Sequence, residues 1–480
     1  MNATEHLEAD GASVALADPG APAAVTATDD RPLATAPVSA PAAAETAPPT
    51  SLWRNWRFQA LWIGSSTSLL GINAADFAYP VIILLMTRSP ALAAVFGFVQ
   101  TAAMTLAGLP AGVLVDRWDR RRILMGAEAL RAVTTASVLA AWAVGHLTIA
   151  HLFVVAAVLG AVTPIGGSAR MLMVRAVVPP TQLTQALTQD EVRTAAAGLG
   201  GPPIGGLLLA ASRGLPFLFT TITFVISFVT ALIVRVPGGT RAGTAASSKP
   251  SAAASEPSAA AGTTAAAGTS EAAETKETQA GGGMFAGIRT LWHDRTMRGA
   301  LAMFSLINVG GSALFLAIVV LLQRQGASPR LIGIAVAGEA VGTLLGAGLV
   351  GRLHRKVAPG WLLLGVGVVF TLFVPLLAIR LGPWWVFGVL TVGVLGVPSL
   401  RVLIDVLILR RVPDEQRGRT ITALMTVLTI GIPIGTLAGG ISLQYVGPTV
   451  TILAIGVLNA LAVAMAASDR RLRAARWPAQ

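Results

Sequence analysis

The 480-residue chain has no cysteine, two tyrosines, five histidines and only 12% charged residues. Without cysteine there are no disulfides, thiolate metal sites or cysteine nucleophiles, and the scattered histidines show no metal-ligand spacing. No Gly-x-x-x-x-Gly-Lys-Ser/Thr loop occurs, so ATP-driven export has no support within the chain. Neither a Gly-x-Ser-x-Gly elbow nor a His-Glu-x-x-His pair is present. These absences argue against an enzyme, a metal centre and a cofactor. A soluble domain carries about twice this charge. With 54% hydrophobic residues and a mean hydropathy of +0.70, the chain reads as an integral membrane protein. The basic excess of +12 raises the question of nucleic acid. The basic residues fall mostly between apolar runs, however, where anionic lipid and topology account for them, so no nucleic-acid partner is expected.

Residues 1–52 form an Ala/Pro/Thr-rich tail with no periodic apolar face, read as disordered. The tail lacks the basic start and short apolar core of a signal peptide, so the first span is expected to be retained. Apolar stretches long enough to cross a bilayer, roughly 20 residues each, then recur at 58–86, 91–114, 123–144, 149–169, 187–211 and 215–235. A second set follows at 299–323, 330–351, 360–380, 384–409, 419–443 and 447–467. The expected fold class is therefore all-α, with twelve transmembrane helices. A six-helix bundle over 53–236 is joined by a flexible Ala/Ser/Thr/Gly tract, 237–283, to a second bundle over 284–468, and a basic tail occupies 469–480. Met284 to Arg298 carries Phe285, Ile288, Leu291 and Trp292 at helical spacing among arginines, which suits an interfacial helix preceding the second bundle.

Lys and Arg alternate between sparse and dense loops, which predicts both termini on the cytoplasmic side of the cell membrane. The halves also repeat. Asn73 pairs with Asn308, Asp116-Arg117 with Gly351-Arg352, Val178-Pro179 with Val412-Pro413, and Gly201-Pro202-Pro203-Ile204-Gly205 with Gly431-Ile432-Pro433-Ile434-Gly435, at shifts between 230 and 235. Ordered matches of this kind predict two bundles related by an axis along the membrane normal, with a pathway between them.

The densest polar element is Gly112-Val113-Leu114-Val115-Asp116-Arg117-Trp118-Asp119-Arg120-Arg121-Arg122, read as a short turn between the second and third spans. It resembles the Gly-x-Leu-x-Asp-Arg-x-Gly-Arg-Arg loop of the major facilitator superfamily, with Asp119 at the second glycine. Gly201-Pro202-Pro203-Ile204-Gly205-Gly206 is similar to that family's antiporter-associated motif. The run Val412 to Arg419 resembles the same loop in its macrolide-efflux and siderophore-exporter branch. The resemblance covers about residues 53 to 468. It implies two six-helix bundles, a monomer, a small-molecule substrate, proton coupling and efflux. It also makes Gly112, Asp116, Arg117, Arg120 and Arg121 a conformational latch, in which Asp116 meets the N-terminus of the eleventh span, expected near Gly418.

An ionisable group inside a span costs a few kcal/mol or more and is a functional candidate by default. Glu128 with Arg131 and Arg401 with Asp405 are spaced as helix ion pairs and read as structural. Asp76 and Glu339 have no opposite charge one turn away, which suits proton-coupling groups; the alternative is a carboxyl held neutral or bonded to Asn73, Asn308 or a serine. Asn73, Phe77, Phe304 and Asn308 are candidates for lining a cavity. Three functions stay open at this point: a proton-coupled exporter, an uptake or siderophore permease of the same fold, and a non-transporting membrane sensor or scaffold.

Overall fold

The computed structural model describes residues 52–234, 295–400 and 414–469, and within its helices some side chains, including those of Gly112, Asp116 and residues 414–429, lie outside the description. The predicted tails, the central tract, the interfacial segment before Arg295, and Arg401 and Asp405 likewise lie outside the described residues.

Among the described residues, twelve α-helices follow in order: α1 Trp56–Thr87, α2 Pro90–Arg117, α3 Arg120–Ala143, α4 Ile149–Val177, α5 Leu183–Ala211, α6 Leu215–Ile233, α7 Arg295–Arg324, α8 Pro329–Lys356, α9 Pro359–Leu376, α10 Pro383–Gly393, α11 Asp414–Tyr445 and α12 Pro448–Ser468. Eleven of the described segments are apolar and long enough to cross a membrane. Short turns with strong starts separate them. Proline stands in the first turn of α2, α8, α9, α10 and α12, where its missing N–H costs nothing. Asn55, Ser89, Thr148 and Ser328 each accept a backbone N–H three residues on.

The charge-dense turn is shorter than expected. Gly112 to Arg117 continue α2 as helix, so only Trp118 and Asp119 separate it from α3. Asp119 Oδ1 accepts the N–H groups of Arg121 (2.8 Å) and Arg122 (3.1 Å), a use for a carboxylate where the family loop has glycine. Arg121 crosses to the carbonyls of Ala231 (3.3 Å) and Leu232, at the C-terminus of α6, where a cation suits the helix dipole. Asp119→Ala should therefore lower stability by about 0.5–2 kcal/mol, read as an earlier thermal unfolding midpoint in detergent with transport retained. The eleventh helix begins at Asp414 rather than near Gly418.

Within the first half, α1 packs on α5 and α6, α2 on α4, and α3 on α4 and α6. In the second, α7 packs on α11 and α12, α8 on α10, and α9 on α10 and α12. The halves meet where α2 packs on α11 and α5 on α8. Small residues make these approaches possible, as expected between membrane helices. A Cβ on Gly205 would meet the backbone of Ala74 in α1, while one on the next residue, Gly206, would strike the Pro329 carbonyl of α8. A Cβ on Gly439 would strike Ala313 of α7, and one on Gly440 would strike Ala94 of α2. Each Gly-Gly pair thus faces its own half with one residue and the opposite half with the other. This geometry corrects one repeat match: Gly201, Gly205 and Gly206 correspond to Gly435, Gly439 and Gly440, at the shift of 234 that the Val178–Val412 match also has. The alignment on Gly431 was one helical turn short.

Candidate functional site: a cavity between the halves

All these cross-half contacts lie near the end of the helices away from the basic turns. Toward the basic end, Gly108 of α2 and Gly198 of α5 have open space beside them. Between the halves lies a cavity of about 460 Å³, walled by Asn73 and Asp76 of α1, Thr194, Gly198 and Pro202 of α5, Phe315 of α7, and Val336, Glu339 and Thr343 of α8. A second, of about 310 Å³, is bounded by α1, α2, α4, α7 and α11 and again includes Asp76 and Phe315. The sizes suit small organic molecules.

Local packing explains why the two acids face this space. Gly338, Gly342 and Gly346 recur at helical spacing on α8, and a Cβ on any of them would strike the carbonyl of Phe387 or Thr391 on α10 or of Leu395 just past its end. That stripe seats α8 against α10, so Glu339, one residue round the helix, is turned out into the cavity. On α1, Gly71 and Ala74 pack against α6 and α5, and Phe77, Ala78 and Tyr79 are buried. Asp76 is left open to both cavities. Its partner is a residue that sequence reasoning missed: Gln100 of α2 donates to Asp76 Oδ1 at 2.9 Å. Asn73, considered as that partner, instead donates to the Leu69 carbonyl of its own helix.

Of the aromatic and amide candidates, Asn73 lines the larger cavity. Phe77 does not: it is 1% exposed in the core, with its ring edge-on to Phe315 at 6.5 Å, and Phe315 is the aromatic that faces both cavities. Phe304 packs against the cluster around Met303, Leu363 and Ala462, and Asn308 lines neither cavity. Gly201, Pro202, Gly205 and Gly206 lie together at the junction of α1, α5 and α8, where the Pro202 carbonyl lies against Gly333.

Among the described residues, two ion pairs sit inside the first half. Arg131 donates to Glu128 at 3.1 Å, with both side chains at most 5% exposed; Ser68 of α1 donates to the same carboxylate. Arg193 binds Asp190 at 2.5 and 2.9 Å and the Ser65 carbonyl at 3.1 Å. This second pair has the same i,i+3 spacing and was legible in the sequence, but it was passed over. Arg170, also passed over, borders a space of about 50 Å³ with Ser65 and Asp190. Removing one partner of a buried pair strands the other charge, so Arg131→Met should cost about 3–5 kcal/mol, measured as a large drop in the thermal midpoint of purified protein.

The Major Facilitator Superfamily family model matches residues 61–323 and 300–477. The chain belongs to the major facilitator superfamily. As a major facilitator it is a membrane transporter rather than an enzyme. It is 25% identical over 409 residues to the "Multidrug efflux pump Tap" of Mycobacterium tuberculosis (strain ATCC 25618 / H37Rv), a match covering 81% of this chain and 87% of that protein. It is 23% identical over 359 residues to the "Uncharacterized MFS-type transporter YfiS" of Bacillus subtilis (strain 168), over 73% and 78% of the two chains. Among solved structures, a bacterial homologue of the iron transporter ferroportin in an inward-facing state superposes with a TM-score of 0.62, at 16% identity and over 88% of this chain and all of the other. That likeness concerns the fold, and it agrees with twelve major facilitator helices in two six-helix bundles.

Proposed function

We propose that this major facilitator exports small apolar or amphipathic molecules in exchange for protons, by alternating access. The observation that carries the reading is the pair of carboxyls, Asp76 from one half and Glu339 from the other, facing a single cavity of about 460 Å³ at the interface of the halves. A carrier of this kind needs a proton site that both halves can expose in turn, and an acid in a wall that is otherwise uncharged supplies one. Export, rather than uptake, is supported by the efflux pump among its relatives and by the Gly-Pro-x-x-Gly-Gly motif at the α1–α5–α8 junction. The dense arginines of the α2–α3 turn support a cytoplasmic position for that end and for both termini. The conformation is then inward-open, and one chain encloses the whole pathway, so a monomer suffices. In this state the Asp116 latch would be released, since it is expected to close the cytoplasmic end.

The test compares cells with and without the gene across a panel of antibiotics and cationic dyes. Export predicts raised tolerance to a defined subset, together with ethidium accumulation in inverted vesicles that collapses when the pH gradient is dissipated. Lowered tolerance would favour an uptake permease, and no change with either probe would leave the export reading without support.

A further inference from the structure

The buried Glu128–Arg131 pair lies next to the cavity acid. Arg131 gives Glu128 an N–H at 3.1 Å, whereas a guanidinium has five to offer. Arg131 also borders a space of about 20 Å³ whose wall includes Asp76 and Gln100. That is room for about one water molecule. Asp76 faces the substrate-sized cavities on one side and this gap on the other. A proton reaching Asp76 from the cavity is therefore one water away from a cation that holds a second carboxylate.

We propose that Glu128 is a second proton site and that Arg131 exchanges partners between Glu128 and Asp76. In one state Asp76 carries the proton and Arg131 pairs with ionised Glu128. In the other, the proton has left the Asp76 carboxyl, crossed the gap through water, and bonded to a Glu128 oxygen, while Arg131 has turned to the Asp76 carboxylate. Only O–H bonds break and form, Arg131 stays protonated, and the trio is neutral throughout. Both states bury one ion pair and one neutral acid, so the large desolvation cost of a lone charge arises in neither. A cationic or hydrogen-bonding molecule entering beside Asp76 would favour its ionised form and so drive the proton inward, out of the substrate's way. The inference rests on the reading of Asp76 as a proton-loading group.

The surroundings permit the exchange. On α1 the trio is faced by Ser68 and Tyr79, and on α2 by Gln100. Arg170 of α4 lies within electrostatic reach of Arg131 and Glu128, as it does of Asp190 and Arg193 of α5, which bind each other. The α6 sequence has no charged residue, and Glu339 faces Asp76 across the cavity.

Infrared difference spectra of the full chain in liposomes, stepped in pH and with ¹³C-labelled glutamate carboxyls, test this without a substrate. Glu128 is the buried glutamate among the described residues, and a Glu339→Gln background removes the glutamate that lines the cavity. The expected result is an isotope-shifted protonated-carboxyl band in the pH-difference spectrum that is lost in Glu128→Gln and equally lost in Asp76→Asn, which leaves Arg131 no second anion to turn to. Should Glu128→Gln fail to fold, the neutral pair Glu128→Gln/Arg131→Gln removes the stranded charge and should lack the band as well. Absence of a shifted band in the parent protein, or its persistence undiminished in Asp76→Asn, would overturn the proposal. Transport is read in the parent chain: the exchange band with no gradient-driven transport by the parent would sink the coupling reading alone, and coupled transport by the parent without the band would sink this one alone.

Discussion

Glu339→Gln should reduce pH-gradient-driven ethidium transport by at least about tenfold while leaving the folding stability within about 0.5 kcal/mol of the parent's, the usual range away from packed features. The amide keeps the shape and the hydrogen bonds of the acid but cannot release a proton. Glu339 stands open to the cavity beside the glycine stripe that seats α8, and among the described residues it makes no ion pair, so its charge is not needed for folding. Downhill equilibration of the dye should survive, because the cavity keeps its dimensions; this separates lost coupling from lost binding. Asp76→Asn should act in the same direction, and its amide can still accept from Gln100. Transport measured in proteoliposomes with an imposed gradient, then with the gradient collapsed, gives both numbers. Undiminished uphill transport in Glu339→Gln would remove that residue from the mechanism.

The helices and the two-fold repeat were legible because each rests on a local signal. Runs of roughly 20 apolar residues, proline in first turns and glycine pairs in register are all present in one dimension. The two exposed acids were legible for the same reason, since a carboxylate within an apolar run stands out by its cost. What faces what was not legible. Asp76 needed Gln100, 24 positions away on another helix, and no spacing rule links them. Phe77 was a cavity candidate until packing buried it against Phe315, which faces the cavity in its place. The α2–α3 turn was overextended because charge was taken as the end of a helix. A membrane helix can project a turn beyond the bilayer, and Asp119, a capping residue one step before Arg120, marks the true boundary. The glycine repeat was misaligned by one turn, since several glycines at four-residue spacing fit the pattern and only their contacts distinguish them.

Gly206→Leu and Gly440→Leu should hold the carrier open at the end away from the basic turns. In the present conformation that end is sealed where a Cβ at Gly206 would strike the Pro329 carbonyl and one at Gly440 would strike Ala94 and approach the Pro90 carbonyl. The obstacles are mainly backbone, which cannot rotate aside, so a leucine there forces the helices of opposite halves apart. Overpacking costs roughly 1–3 kcal/mol. When the strain exists in one conformation only, that cost shifts the balance of states by about 5–150-fold. The other conformation, in which α5 parts from α8 and α2 from α11, relieves it. With no native cysteine to interfere, Ala93→Cys reports on this directly: Ala93 is 2% exposed on α2 and lines the 310 Å³ cavity close to the sealed end. A membrane-impermeant maleimide added from the side away from the basic turns should label it faster by that factor in either leucine background, while transport falls because closure has become unfavourable. Gly388→Leu, on α10 with nothing within 4 Å of its would-be Cβ, is the control and should change neither rate. Unchanged labelling accompanied by a lowered thermal midpoint would mean that the glycine contacts are fixed packing within a single conformation, and the seam would lose its role in alternation.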